Sequence, residues 1–254
     1  RTLLGEAQRM WLIGQLQSGE TWKVLGQQVL MGTMELPVAV LPRDPSDPSS
    51  APLTIQQYAL LVQLAQIAQR IQAMDPTLTQ QERDFFAQNQ AFFEMNQALL
   101  SLGSLPYNLD AWDGYPVERA AILQASLAAG NNLVVLAGDT HNAWANNLTL
   151  ENTPAGVELA TPSVSSPGLE VALGVVNEAD PAAAAAQLEA GVQQLIPGLQ
   201  YANLFERGFL TVTFTPADVT AEWTFVDTVK SETYQVQAAR SRSITVPAGA
   251  NQIS

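Results

Sequence analysis

The chain has 254 residues, 47% of them hydrophobic, which is enough for one large domain or two small ones with a substantial core. Its 11 basic and 24 acidic side chains give a formal net charge of -13, which argues against binding of DNA or RNA through a basic surface. The absence of cysteine excludes disulfides and thiolate metal sites.

The N-terminal segment is predicted to form a helix that leads into a short strand. Apolar residues recur at helical spacing from Leu3 to Leu16, and the strand follows from Trp22 to Gly26. No initiator methionine precedes this helix, so we expect that further sequence lies before Arg1. No apolar run of about 18 residues is present, and a signal-peptide layout is missing, so no membrane span is predicted.

Residues 44–104 are predicted to form a Gln-rich helical insertion beside the main fold. Residues 42–52 are dense in Pro, Ser and Asp, as is typical of a loop, and helical segments follow at about 54–74 and 79–101. Thr79 and Glu82 have the spacing of a capping box. Aromatic residues at helical spacing are expected to belong to a core, namely Phe85, Phe86, Phe92 and Phe93.

The next segment places polar residues at the end of a buried strand. A helix is expected from Pro116, closed by Gly130, and the apolar run Leu133 to Ala137 then predicts a strand. Gly-Asp-Thr-His follows at 138–141 and contains the only histidine of the chain. Ligands of α/β proteins usually bind at this end of the strands, so we expect a site here.

Asp139 and His141 are two residues apart, so both side chains can point to the same side of the strand's end. A carboxylate and an imidazole that converge form half of a typical site for a divalent metal ion. The alternative is a turn in which both residues only cap backbone groups, and the spacing by itself does not decide between the two.

Other catalytic patterns have less support. No Gly-x-Ser-x-Gly elbow and no phosphate-binding P-loop is present. Asp110 and Asp113 flank Trp112 in a polar turn, where they can serve in acid/base chemistry or be solvated loop residues. Gln27 and Gln28 follow the first strand and can bind a metal or phosphate, or satisfy loop backbone.

The C-terminal third is predicted to contain more strands and one helix. The stretch GVELATPSVSSPG indicates a strand followed by a Ser/Pro/Gly loop, and an alanine-rich helix is expected at about 181–195. Apolar and polar residues alternate in RGFLTVTFTPADVTAEWTFVD, which predicts two strands around a Pro-Ala-Asp turn. The tail after about residue 230 is expected to add one more strand.

Several blocks together resemble the C-terminal half of a PhoD-like alkaline phosphatase or phosphodiesterase, a branch of the calcineurin-like metallophosphoesterases. The blocks occur in the order of the family and cover nearly the whole chain outside 44–104. They are LGEAQRMWLIGQL, TWKVLGQQVLM, LDAWDGYPVERAAIL, NLVVLAGDTHNAWANNL, GVELATPSVSSPGLE and FERGFLTVTFTPADVTAEWTFVDTV.

The resemblance implies a layered αββα sandwich of two β-sheets flanked by helices, and hydrolysis of phosphate mono- or diesters with metal-activated hydroxide. It also implies metal ions, namely Ca²⁺ and Fe³⁺, and a periplasmic or secreted location. Asp139 would ligate a metal, His141 would ligate a metal or contact the phosphate, and Asn142 is a further candidate for substrate binding.

The chain also departs from the family. The family's N-terminal metal motifs are absent, and Asn147 stands where many relatives have an aspartate. We therefore expect the chain to be the C-terminal part of a larger enzyme, inactive in isolation, whose site is completed by the missing N-terminal half of the same domain. The alternative is a catalytically inactive binding or structural domain on the same scaffold.

Overall fold

The computed structural model describes residues 1–44, 47–106, 108–172 and 175–253. The chain divides into two compact units, a main unit of Arg1–Met34 with Asn108–Ser254 and a helical unit of Glu35–Tyr107. The predicted insertion, 44–104, lies within the helical unit.

Helices and strands alternate along much of the chain, as in other α/β proteins. The helices are α1 (Glu6–Leu16), α2 (Ile55–Gln72), α3 (Gln80–Asn96), α4 (Pro116–Ala128), α5 (Leu169–Ala172) and α6 (Pro181–Leu195). The strands are β1 (Trp22–Gly26), β2 (Glu35–Pro37), β3 (Ser104–Pro106), β4 (Asn132–Ala137), β5 (Ala143–Leu150), β6 (Thr153–Ala160), β7 (Leu199–Asn203), β8 (Arg207–Phe214), β9 (Asp218–Val226) and β10 (Arg242–Pro247).

The main unit contains two sheets. Five strands lie in the order β1-β4-β6-β5-β7, in which β1, β4 and β6 are parallel and β5 runs antiparallel to both of its neighbours. The second sheet is antiparallel, with the order β10-β9-β8. The predicted strands at 22–26, 133–137 and 207–226 are confirmed, and so is the strand expected in the tail. The sequence did not predict β5 or β7.

Each face of the five-stranded sheet is covered by a different layer. Residues of β4, β5 and β6 pack on one face against the three-stranded sheet, around Trp223 and Phe225. Leu16 of α1 and Ile122 of α4 are buried against the opposite face. The main unit is therefore layered as helices, sheet and sheet, which confirms the predicted α/β class. The outer helical layer of an αββα arrangement stays a prediction.

The helical unit is built around a hairpin of α2 and α3. Both helices begin with a capping box, at Thr54 and at Thr79, and the second of these confirms the prediction. Arg70 joins the two helices through ion pairs with Asp75 and Glu82. The aromatic core expected for α3 is present only as a half-buried face: none of its four phenylalanines is fully buried, and Phe86 and Phe93 contact each other with ring centroids 5.4 Å apart.

Glu158 of β6 is a buried carboxylate that anchors the loop after β1. It accepts hydrogen bonds from the backbone N–H groups of Met31 and Gly32 and from the Asn146 amide, and it is fully buried. Burial raises the pKa of the Glu158 carboxyl above its usual range, while the backbone donors at Met31 and Gly32 partly oppose this shift. The loop that leaves β1 is thus fastened to the centre of the sheet.

Within the described part of the chain, no helix is both long and apolar enough to cross a membrane.

Trp223→Ala tests the packing between the two sheets. Trp223 is 1% exposed and donates a hydrogen bond to the Ala160 carbonyl at 2.9 Å. Its loss should lower the free energy of unfolding by about 3–5 kcal/mol in urea denaturation. Phe209→Ala is the matched control, since Phe209 lies on the same sheet but is 51% exposed, and it should cost roughly 0.5 kcal/mol or less. Equal losses in the two variants would contradict the packing described.

Glu158→Gln tests the effect of the buried carboxyl on stability at different pH. The pKa of the Glu158 carboxyl is higher in the folded than in the unfolded state. The stability that it contributes is therefore fully present below the unfolded-state pKa of 4.5 and is lost as the pH rises through the folded-state pKa. The variant cannot ionise, so its stability relative to wild type should increase with pH over that window in urea titrations. A relative stability that does not change with pH would argue against the raised pKa.

Candidate functional site

The turn between β4 and β5 holds the predicted site residues in an uncommon backbone conformation. Asp139 and His141 have positive φ angles of 67° and 60°, in a backbone region that residues other than glycine seldom adopt. Thr140 lies between them and donates its backbone N–H to the Gly138 carbonyl at 2.8 Å. Strained backbone of this kind is frequently found where a protein positions functional groups.

This turn lies between the loops that follow β1 and β6. The Gly138 N–H donates to the Gln28 carbonyl at 3.0 Å, and the Thr161 N–H donates to the Ala137 carbonyl at 2.9 Å. Because β1, β4 and β6 are parallel, their carboxyl ends meet at one edge of the sheet. Asp139 and His141 are therefore at the edge where ligands of α/β sheets usually bind.

His141 is oriented by the loop after β6. Its Nδ1 lies 2.7 Å from the carbonyl oxygen of Pro167. A carbonyl oxygen can only accept a hydrogen bond, so Nδ1 carries a proton, and in the neutral imidazole the lone pair is on Nε2. Metal-binding histidines are commonly fixed in this way, with one nitrogen donating to a carbonyl and the other available as a ligand.

Asn142 is fully buried, and both ends of its amide are engaged. Its Oδ1 accepts the Leu169 N–H at 3.0 Å, and its Nδ2 donates to the Leu204 carbonyl at 3.1 Å. Gly168 packs directly against this amide, since a Cβ there would lie 2.7 Å from Oδ1 and from Nδ2. Asn142 thus ties the turn after β4 to two neighbouring segments.

The loop after β6 is held by further internal contacts. Ser163 Oγ accepts the backbone N–H groups of Ser165 and Ser166 at 3.1 and 2.7 Å. The carboxylate of Glu170 accepts the Gly168 N–H and forms an ion pair with Arg207. Glu170 and Arg207 were not among the residues predicted from the sequence. The Pro-Gly-x-Glu spacing is a weak sign of the first contact, and nothing local indicates a partner 37 residues away.

Asp139 is exposed, and its carboxylate has no partner among the described residues. With the lone pair of His141 it makes two metal donors of suitable chemistry on one turn. No group of three His, Cys, Asp or Glu side chains that could hold a metal occurs in the described ranges. These residues therefore fit a contribution to a metal site, with further ligands needed to complete it.

The two glutamines after β1 make different contacts, Gln27 through its side chain and Gln28 through its backbone. Gln27 Oε1 accepts a hydrogen bond from Trp112 Nε1 at 2.7 Å, while its Nε2 is buried without a partner among the described residues. Gln28 contributes its carbonyl to the contact with Gly138. Both residues lie at the same sheet edge as the Asp139 turn.

The remaining polar candidates have structural partners. Asp113 Oδ2 accepts the Met34 N–H at 2.8 Å, and the largely exposed Asp110 pairs with Arg1 at 3.1 Å. The Asn147 amide exchanges two hydrogen bonds with the backbone of Ile253, at 2.7 and 3.2 Å. Asn147 therefore fastens the C-terminal tail to β5.

Comparisons with known proteins bear on the family and the fold of the chain. A sequence model of the family "PhoD-like phosphatase" matches residues 1–223. The chain is 33% identical over 123 residues to alkaline phosphatase D of Bacillus subtilis (strain 168), a match that covers 46% of this chain and 19% of that protein. The whole chain aligns with 35% of the chain in a solved structure of PhoD, with a TM-score of 0.58 and 19% identity. The chain thus spans much less than the full length of these relatives, and the structural likeness shows the fold.

Gly168→Ala tests the contact between the loop after β6 and Asn142. The added methyl group would overlap the Asn142 amide, so we expect a loss of about 1–3 kcal/mol in the free energy of unfolding. Gly14→Ala is the control, because Gly14 lies inside α1 with open space around it and alanine should stabilise that helix by roughly 0.5–1 kcal/mol. Chemical denaturation measures both, and a neutral Gly168→Ala would contradict the close packing.

Proposed function

Because the chain belongs to the PhoD-like phosphatase family, we propose that it is the C-terminal portion of a metal-dependent phosphoester hydrolase. Its substrates would be phosphate mono- or diesters, and its chemistry the transfer of a phosphoryl group to water. The observation that supports this most directly is that one turn carries both an exposed Asp139, without a partner among the described residues, and a His141 whose Nε2 lone pair is available.

The chemistry of both side chains favours ligation of a metal ion. The Asp139 carboxylate would repel an anionic phosphate, so it is suited to bind a cation. Neutral His141, with its proton on Nδ1, has no N–H to donate from Nε2, so Nε2 is suited to ligate a metal. Contact with a phosphate oxygen would require the doubly protonated imidazolium, and we therefore favour ligation over phosphate binding.

The metal ions would supply the chemistry that the chain's own groups lack. The family resemblance suggests Ca²⁺ and Fe³⁺, and bound ions of this charge polarise phosphoryl oxygens and activate water. Asp139 offers oxygen to a hard cation and His141 offers nitrogen. The chain's residues would hold and orient the ions at the carboxyl end of the parallel strands.

Asn142 would have a supporting role in this proposal. Its amide is fully buried, Oδ1 accepts from Leu169, and Nδ2 donates to the Leu204 carbonyl and to the Glu170 carboxylate, so the amide has no free group to offer a substrate. We therefore assign it to the placement of the turn that carries Asp139 and His141, rather than to substrate binding.

The other metal ligands would come from a polypeptide segment beyond these residues. The solved relative is much longer than this chain, which covers 35% of it, and the described residues contain no group of three His, Cys, Asp or Glu side chains that could hold a metal. The missing N-terminal half would also add the second helical layer of an αββα sandwich. A periplasmic or secreted location belongs to the same proposal.

A non-catalytic binding or structural domain on the same scaffold is the second candidate. The lack of a three-ligand cluster in the described ranges favours it. Two measurements separate the hydrolase from the non-catalytic domain, namely metal content and turnover of p-nitrophenyl phosphate. Both are made on the isolated 254 residues and on the full-length protein. Turnover by the full-length protein alone supports the hydrolase, and no metal or turnover in either supports the alternative. Stoichiometric metal and turnover in the isolated chain would contradict an incomplete site.

Asp139→Ala in the full-length protein tests the role of the carboxylate. Loss of a direct ligand should exceed the 10- to 100-fold effect typical of outer-shell partners, so we expect metal-dependent turnover to fall by about 100-fold or more. Glu222→Ala is the control, since it removes an exposed carboxylate from β9 and should leave turnover unchanged. Near-normal activity with bound metal in Asp139→Ala would rule out the assignment.

A further inference from the structure

We infer that Glu170, paired with Arg207, is a positioning residue that fixes the tautomer of His141 by holding the peptide plane between Pro167 and Gly168. The significance for catalysis rests on the proposed function. The effect on the imidazole does not, because it follows from contacts within this chain.

The link runs through a single peptide group. The carbonyl of Pro167 and the N–H of Gly168 belong to the same planar trans peptide, so they point in opposite directions. The carbonyl faces His141 Nδ1 at 2.7 Å, and the N–H faces the Glu170 carboxylate, at 3.0 Å from Oε1 and 3.1 Å from Oε2. A carboxylate that holds one side of this plane sets the direction of the carbonyl on the other side.

Glu170 is itself held firmly. Its side chain is 4% exposed, and it is paired with Arg207, whose side chain is 13% exposed. Arg207 is also held by the carbonyls of Phe205 and Glu206, both at 3.3 Å. Removing one member of a buried pair leaves an uncompensated charge, so the arrangement has little freedom to relax locally.

The adjoining peptide is held from the other side of the site. The Leu169 N–H donates to Asn142 Oδ1 at 3.0 Å, and Asn142 directly follows His141 in the chain. The imidazole and the carbonyl that orients it are therefore both anchored to the same short turn. If the Pro167 carbonyl turned away, His141 would lose the acceptor that keeps its proton on Nδ1.

The competing explanation is that Glu170 and Arg207 only stabilise the fold. In that case, variants of Glu170 would unfold more easily, but the imidazole of the folded molecules would keep its proton on Nδ1. The protonation of the ring nitrogens therefore separates positioning from stability.

Nitrogen NMR of the ¹⁵N-labelled 254-residue chain, at a pH where the ring is neutral, measures this directly. His141 is the only histidine, so its two ring nitrogens are identified without ambiguity. In the wild type we expect the proton on Nδ1. In Glu170→Ala we expect a mixture with a major Nε2–H form, and in Glu170→Gln, which keeps an acceptor for Gly168, we expect a proton mostly on Nδ1.

Two further variants complete the test. Glu178→Ala removes an exposed carboxylate elsewhere and should leave the wild-type signals. If Glu170→Ala does not fold, Glu170→Asp decides, because it keeps the charge beside Arg207 but withdraws the carboxylate from Gly168, and it should give the same mixture. A wild-type proton on Nε2, or a folded Ala or Asp variant with the proton wholly on Nδ1, would overturn the proposal.

A second readout connects the positioning to function. In the full-length protein, Glu170→Ala should lower metal affinity and kcat/KM by about 10- to 100-fold, as is typical when the partner that orients a ligand is lost. An unchanged metal affinity together with a shifted tautomer would refute the proposed metal role of His141 and leave the positioning intact. An unshifted tautomer would refute the positioning and leave the proposed hydrolase untouched.

Discussion

The hydrogen bond between His141 Nδ1 and the Pro167 carbonyl joins the turn after β4 to the loop after β6, and the chemistry of the site depends on it. It leaves the lone pair on Nε2, next to a turn whose aspartate has no partner among the described residues. The same peptide group is held on its other side by the carboxylate of Glu170. One planar peptide group thus couples the buried ion pair of Glu170 and Arg207 to the half-buried imidazole of His141.

The sheet makes this coupling possible because it brings the loops together. The parallel strands β1, β4 and β6 end at one edge, and their buried faces are covered by helices on one side and by the three-stranded sheet on the other. Buried polar groups then fix the loops to this frame, with Glu158 holding the loop after β1 and Asn142 the turn after β4. A rigid frame below exposed donors is the arrangement that precise placement of ligands requires.

Part of this could be predicted from the sequence. The apolar run Leu133 to Ala137, followed by Gly138 and Asp139, signals a strand with a polar end, and the capping box at Thr79 marks the start of α3. The strand β5 was missed because it is buried on both faces and carries Asn146 and Asn147, so it lacks an alternating pattern. The pairing of Glu170 with Arg207 depends on tertiary folding, which brings together residues 37 positions apart, and no local spacing encodes it.

Anomalous X-ray diffraction from crystals of the full-length, metal-loaded protein would locate the metal ions relative to Asp139 and His141. We expect a metal ion within about 2.0–2.6 Å of an Asp139 carboxylate oxygen and of His141 Nε2, with Nδ1 still bonded to the Pro167 carbonyl. Metal ions bound without either residue, or ligation through His141 Nδ1, would rule out the proposed site.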